Sequence, residues 1–202
     1  MTIYVASIYY IRMTVSFDLE GLRLKHNCIN YFETGLWDPR TNTSSKQALS
    51  CNFEKVFCIE IFEEWVKLGK DIFKAEILTG RYNLYLDDSV NMKKYLVGDT
   101  FNNKTMFFLD AHVDNASITN YKYKCPLLDE LTAIGTLERK DNIILIDDIR
   151  IIKNAFPWGE KSFGNIDLLQ KIKNIILSIN PNYKFTFLDG HVKDDVLCAY
   201  IE

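Results

Sequence analysis

Residues 183–201 read YKFTFLDGHVKDDVLCAYI, two apolar strand-like runs (183–188 and 195–201) joined by DGHVKD alone. A parallel connection needs a crossover of about a dozen residues or more, so a link this short makes the pair an antiparallel hairpin. Upstream, strand-like runs at 28–33, 56–61, 82–86, 105–110 and 143–147 alternate with helix-like runs. That alternation is the mark of a parallel sheet covered by helices. In the segment 63–73, Trp65/Val66, Leu68/Gly69 and Ile72/Phe73 recur at helical spacing; 126–139 opens on Pro126, suited to a first helical turn. In 165–179, Ile166, Leu169, Ile172, Ile176 and Ile179 share one face before Asn180-Pro181 ends the run. The expected architecture is α/β: a doubly wound, mostly parallel sheet of seven strands with an antiparallel C-terminal hairpin. The phosphate-binding pattern G-x-G-x-x-G is absent, which argues against a dinucleotide-binding dehydrogenase.

The 202 residues suffice for one such domain with a sizeable core. Apolar residues make up 48% and charged residues 25%, ordinary for a globular protein, and the net charge is −3 with no block of Lys or Arg. A nucleic-acid groove or a polybasic membrane face is therefore not indicated. Five cysteines (28, 51, 58, 125, 198) are odd in number, contain no C-x-x-C pair and sit mostly in apolar runs. Buried reduced thiols in a cytoplasmic protein are the expected reading. The N-terminal MTIYVASIYYIRMTV has no basic n-region and is too short to span a bilayer, so neither a signal peptide nor membrane insertion is expected. Residues 1–26 read either as an edge strand or helix packed on the domain or as a linker from a larger polypeptide, with the domain proper at 27–202. The oligomeric state is not legible.

The strand NIILIDDIR (142–150) is greasy throughout yet ends in Asp147, Asp148 and Arg150, and TMFFLDAH (105–112) likewise ends in Asp110 and His112. Neighbouring strands lie about 5 Å apart, so these acids would stand together at the ends of adjacent strands. Three carboxylates that close repel unless a cation neutralises them. A hard divalent ion such as Mg²⁺ (or Mn²⁺), bound by Asp110, Asp147 and Asp148, is one solution. The other is ordinary: one acid caps the next helix and another pairs with Arg150 or Lys153.

Taken in order, Glu33-Thr34-Gly35, Ile59-Glu60, Leu109-Asp110-Ala111-His112 and Ile146-Asp147-Asp148 resemble the strand-end motifs of class I S-adenosylmethionine-dependent methyltransferases. The resemblance covers about residues 28–202. It implies S-adenosyl-L-methionine as cofactor, held outside the carboxyl ends of the strands. Glu33, Thr34 and Gly35 would lie by its methionine half, Glu60 and Ile61 by its ribose, and Asp88 and Ser89 by its adenine, with Asp110 also in reach. Each has a plainer alternative: a turn glycine beside a solvated glutamate, first-turn helix acids at Glu63 and Glu64, a helix cap at Asp88. The family's further glycines are replaced by LWDPRTNTSSKQ, where Asn42, Thr43 or Ser44 would have to bond the cofactor instead.

The acid set further resembles metal-dependent O-methyltransferases of the catechol and macrolide-sugar types. There a metal chelates two adjacent hydroxyls of the acceptor and lowers the pKa of one. The catechol type carries a lysine three residues after its first acid, where this chain has Val113, so His112 becomes the candidate base, alongside Asp110 in the catalytic set. Arg150 and Trp158, with Phe156, are candidate acceptor contacts; buried packing is the alternative for both aromatics. The motif set resembles glycan-pathway enzymes more than phenol enzymes, which implies a carbohydrate acceptor, a vicinal-diol deoxysugar such as rhamnose. Rival readings are a phenol or catechol methyltransferase, a nucleotide-sugar-binding or glycosyltransferase module, and a cofactor-binding subunit without catalysis.

Overall fold

The computed structural model describes residues 15–41, 43–111, 125–153 and 167–202. Seven strands form one sheet in the order β3-β2-β1-β4-β5-β7-β6. They are β1 Asn30–Thr34, β2 Lys55–Glu60, β3 Tyr82–Leu86, β4 Thr105–Leu109, β5 Ile143–Ile146, β6 Lys184–Leu188 and β7 Val196–Tyr200. β1 to β5 run parallel, while β7 is antiparallel to both β5 and β6. The expected hairpin is thus present, and it inserts its second strand beside β5 while β6 takes the edge.

Every residue of β1, β4 and β5 is buried, so these central strands read as unbroken apolar runs; the edge strand β6 is partly exposed throughout. Helices cover both faces. On one side lie α1 Leu19–His26, α2 Ser44–Ser50, α3 Glu63–Ile72 and the short α4 Lys74–Leu78. On the other lie α5 Leu127–Gly135, α6 Ile149–Lys153 and α7 Leu168–Ile179, with two 3-10 turns at 89–94 and 99–102. Asp18, Thr43 and Asp167 cap α1, α2 and α7, each side chain accepting a first-turn backbone N–H. Gly69 lets α3 lie close on the sheet, because a Cβ there would meet Leu84 at 2.7 Å and Leu36 at 2.9 Å.

The helix expected at 126–139 is shorter. It stops at Gly135, and the Lys140 ammonium folds back to donate to the Gly135 carbonyl, 2.5 Å away. Periodicity alone reads on through this turn because Leu137 is buried like a helical residue. The folded unit also extends upstream of residue 27: Val15 and Leu19 are buried in the core under α1 and α2, and the Ser16 hydroxyl donates to the Gly190 carbonyl at 2.7 Å. Residues 1–14 lie outside the described residues. No helix among the described residues is long and apolar enough to cross a membrane.

Candidate active site

Strands are added outward on one side of β1 as far as β3 and then on its other side from β4, and a parallel sheet opens a crevice at the carboxyl ends flanking such a switch point. The register brings Thr34, Ile59, Leu109 and Ile146 level across four strands, so every segment following them converges on that crevice. The loops after β1 and β4 touch through backbone: the Asp110 N–H donates to the Thr34 carbonyl at 3.1 Å. Gly35 makes that contact possible. It has φ +86°, and a Cβ would come within 2.6 Å of the Asp110 carbonyl oxygen and 3.1 Å of the Ala111 Cα. Both obstacles are main chain and cannot rotate away. Gly35→Ala is therefore expected to lower the unfolding free energy by on the order of 2 kcal/mol or more, checked by chemical denaturation.

Glu33 faces inward and is fully buried. Its carboxylate accepts from the Ser44 hydroxyl at 2.6 Å, from the Ser45 hydroxyl, and from the Tyr31 phenol at 3.3 Å. Ser45 continues the network to the Tyr82 hydroxyl at 2.6 Å. Burial pushes the Glu33 carboxyl up to about 7, against the opposing pull of the two serine hydroxyls. The side chains of Thr43 and Ser44 are thereby committed, Thr43 to capping α2 and Ser44 to Glu33. Asn42 lies outside the described residues.

Glu60 ends β2 as a staple. One of its oxygens accepts the backbone N–H groups of Leu36 (2.7 Å) and Trp37 (3.1 Å), and the other accepts that of Phe62 (2.7 Å). Burial raises its pKa and these amides lower it, with burial the stronger effect. Ile61 follows, half-buried. After β3, Asp88 caps the 89–94 turn by accepting the Val90 N–H, and Ser89 is buried beneath it. Asp87 accepts from the Tyr95 hydroxyl (2.8 Å), Asn91 (2.8 Å) and Lys94 (3.2 Å). Burial would raise the Asp87 carboxyl, but those donors outweigh it and hold it below the usual range. Tyr95 stacks on Tyr85 of β3 with ring centroids 4.2 Å apart, a pair that no sequence signal singled out.

The acids at the end of β5 do gather. Carboxylate oxygens of Asp147, Asp148 and Asp195 lie within 4.8 Å of one another. Asp147 and Asp195 are buried, and Asp147 Oδ1 accepts the Asp148 N–H at 2.8 Å, bending Asp148 to φ +55°. Asp110 stands after β4, while the third member of this group is Asp195, the residue just before β7. Its place follows from the hairpin: β7 runs antiparallel beside β5, so the start of β7 meets the end of β5 (Ile146↔Leu197). Asp195 also anchors α6, accepting the Arg150 N–H at 3.0 Å on its carboxylate and the Ile149 N–H at 2.9 Å on its carbonyl. The Arg150 guanidinium makes close ion pairs with both Asp148 and Asp195. Burial lowers the Arg150 pKa, but the two carboxylates outweigh it and raise it overall. His112, Phe156 and Trp158 lie outside the described residues.

No protein-family model matches the chain, and no curated protein sequence matches it. Solved structures do. An O-methyltransferase from Bacillus cereus in complex with SAH superposes with TM-score 0.55 at 16% identity, over 91% of this chain and 78% of that one. A SAH-bound methyltransferase from Podospora anserina gives 0.53 at 17%, over 90% and 75%. The chain has the class I methyltransferase fold. The O-methyltransferase TomG from Streptomyces achromogenes, involved in tomaymycin synthesis and seen in complex with SAM, gives 0.55 at 12%, over 90% and 77%. Identities this low speak for the fold alone. Within the methyltransferase fold, the Gly35 loop, Glu60, the Asp87–Ser89 turn and the acids after β4 and β5 all end strands at one edge of the sheet.

Proposed function

We propose that this protein transfers the methyl group of S-adenosyl-L-methionine to a hydroxyl of a sugar or glycan, a vicinal-diol deoxysugar such as rhamnose, with a divalent cation assisting. The observation that carries the reading is the carboxylate group at the end of β5, placed beside the β4 end in a methyltransferase fold. Its donor set suits one Mg²⁺ or Mn²⁺. Three carboxylates less the Arg150 guanidinium leave a formal charge of −2, and all donors are hard oxygens. Asp147 and Asp148 would hold the cation, with Asp110 or Asp195 completing the set. When bound, the cation favours the ionised form of an acceptor hydroxyl, and S-adenosylmethionine carries an electrophilic methyl. The chain's own part is orientation. Gly35 and Glu60 fix the loop over β1 and β2, and Asp195 holds Arg150 at the acceptor side. His112, two residues past Asp110 in sequence, is assigned the base.

The Bacillus and Streptomyces O-methyltransferases with SAH and SAM in place support the cofactor assignment. The sugar acceptor rests on the motif resemblance. The five cysteines, all free and buried, accord with a cytoplasmic setting. Titration calorimetry with S-adenosylhomocysteine tests the reading first. Binding in the micromolar range is expected, and no heat at tens of micromolar ligand would sink it. A panel of glycan and catechol acceptors with labelled cofactor then identifies the acceptor, with label expected on a glycan.

A further inference from the structure

The loop after β1 holds a residue out of keeping with its conformation. Among the described residues, the positions with positive φ other than glycine are Asn27, Trp37, Asp148 and Asp194. Asn and Asp tolerate the left-handed region; a bulky tryptophan does so only under constraint. Trp37 sits at φ +60° with its side chain 57% exposed, so little of its apolar area is recovered by burial. The constraint is visible: Leu36 is buried, and the N–H groups of Leu36 and Trp37 both bond Glu60. This staple presents the indole outward past the end of β2. Trp65, in the first turn of α3, lies beside it with ring centroids 6.4 Å apart, and the Arg40 guanidinium lies 5.7 Å from the Trp65 ring. A strained backbone that displays a large ring to solvent opposes the stability of the free protein, and such strain concentrates at ligand sites.

We propose that Trp37, backed by Trp65, is the stacking surface for the adenosine half of the cofactor. This rests on the methyltransferase reading above. Two features favour adenosine over the acceptor. The pair stands at the β2 end, beside Glu60 and toward β3, whereas the acids proposed for the acceptor side are at β5, two strands beyond β1. And Glu60, with about four acceptor directions, already receives three backbone N–H groups, which leaves room for one ribose hydroxyl at most. Hydrogen-bond recognition of the nucleoside is thus curtailed, and an exposed indole is suited to take its place, since every purine has a π face.

S-adenosylhomocysteine binding to the full chain, measured by calorimetry, tests this. Trp37→Ala should weaken affinity by about tenfold or more, the loss seen when one aromatic stacking partner of a base is removed, and Trp37→Phe should restore most of it. Trp37→Gly separates display from folding. It should lose affinity as Trp37→Ala does, while its melting temperature stays at or above that of the parent, because glycine adopts φ +60° freely. If the parent protein binds S-adenosylhomocysteine and Trp37→Ala binds it equally well, the stacking role is overturned and the methyltransferase reading stands. If the parent does not bind it, both fall. A Trp37→Gly protein that melts well below the parent with affinity intact assigns Trp37 to folding, and likewise overturns the proposal.

Discussion

Asp147→Asn is expected to reduce methyl transfer by on the order of a hundredfold or more while leaving S-adenosylhomocysteine affinity within a few-fold of the parent. The size follows from the charge. Asn keeps the shape and the Oδ1 acceptor for the Asp148 N–H, so the turn at Asp148 survives. What changes is the formal charge of the group, from −2 to −1, which no longer matches a divalent ion. Losing several kcal/mol of cation-dependent stabilisation corresponds, at about 1.4 kcal/mol per decade, to at least two decades in rate. Chelation of divalent ions with EDTA should give a comparable loss in the parent, reversed by excess Mg²⁺. Full activity in EDTA ends the metal reading. A variant that also loses the cofactor shows instead that Asp147 organises the whole crevice. Affinity and initial rate, measured on one preparation, separate these cases.

A second large effect is expected on stability. The Glu33 carboxyl is raised from 4.5 to about 7, first by burial. A group whose folded pKa is raised contributes stability that is fully present below its unfolded pKa. That contribution declines from about pH 4.5 upward and is gone above about pH 7. With the carboxyl moved from 4.5 to about 7, and about 1.4 kcal/mol for each pH unit between them, the loss is on the order of 3 kcal/mol between pH 4.5 and pH 8. Glu33→Gln keeps an acceptor for one serine, supplies a donor for the other and cannot ionise. The difference in unfolding free energy between parent and Glu33→Gln should therefore swing in favour of the variant as pH rises through 7. Chemical denaturation of both proteins at several pH values between 4.5 and 8 measures it. Parallel curves would show that Glu33 does not titrate in this range.

Much of the architecture was legible because it is written in local chemistry. The six-residue link at 189–194 cannot carry a crossover, and the hairpin follows from its length alone. The central strands announced themselves as unbroken apolar runs because both faces are buried, and their ends fell within one to two residues of the expected positions. Helix ends were less legible: α5 stops at Gly135 because Lys140 caps it from outside the helix, a tertiary event that periodicity does not register. The strand-end acids were legible as a class, since a carboxylate terminating a greasy strand is anomalous in any sheet.

Their partners were not legible. Whether Asp110 or Asp195 joins Asp147 and Asp148 depends on which strand lies on the far side of β5, and Asp195 is 47 residues further along the chain than Asp148. Only the insertion of β7 between β5 and β6 sets that neighbour. Glu33 is similar. From sequence it is a strand-end acid like Glu60; in the fold it points inward to two serines, while Glu60 closes on the amides of Leu36 and Trp37. A side chain's hydrogen-bond partners are chosen by what the fold brings within 3 Å, and strand alternation does not say which donors wait on either face. The sequence alone thus determined the sheet, its reversed final strand and the edge where its acids collect. The tertiary structure decided which acids meet, which are consumed inside, and that a tryptophan is held against its own backbone preference at the mouth of the crevice.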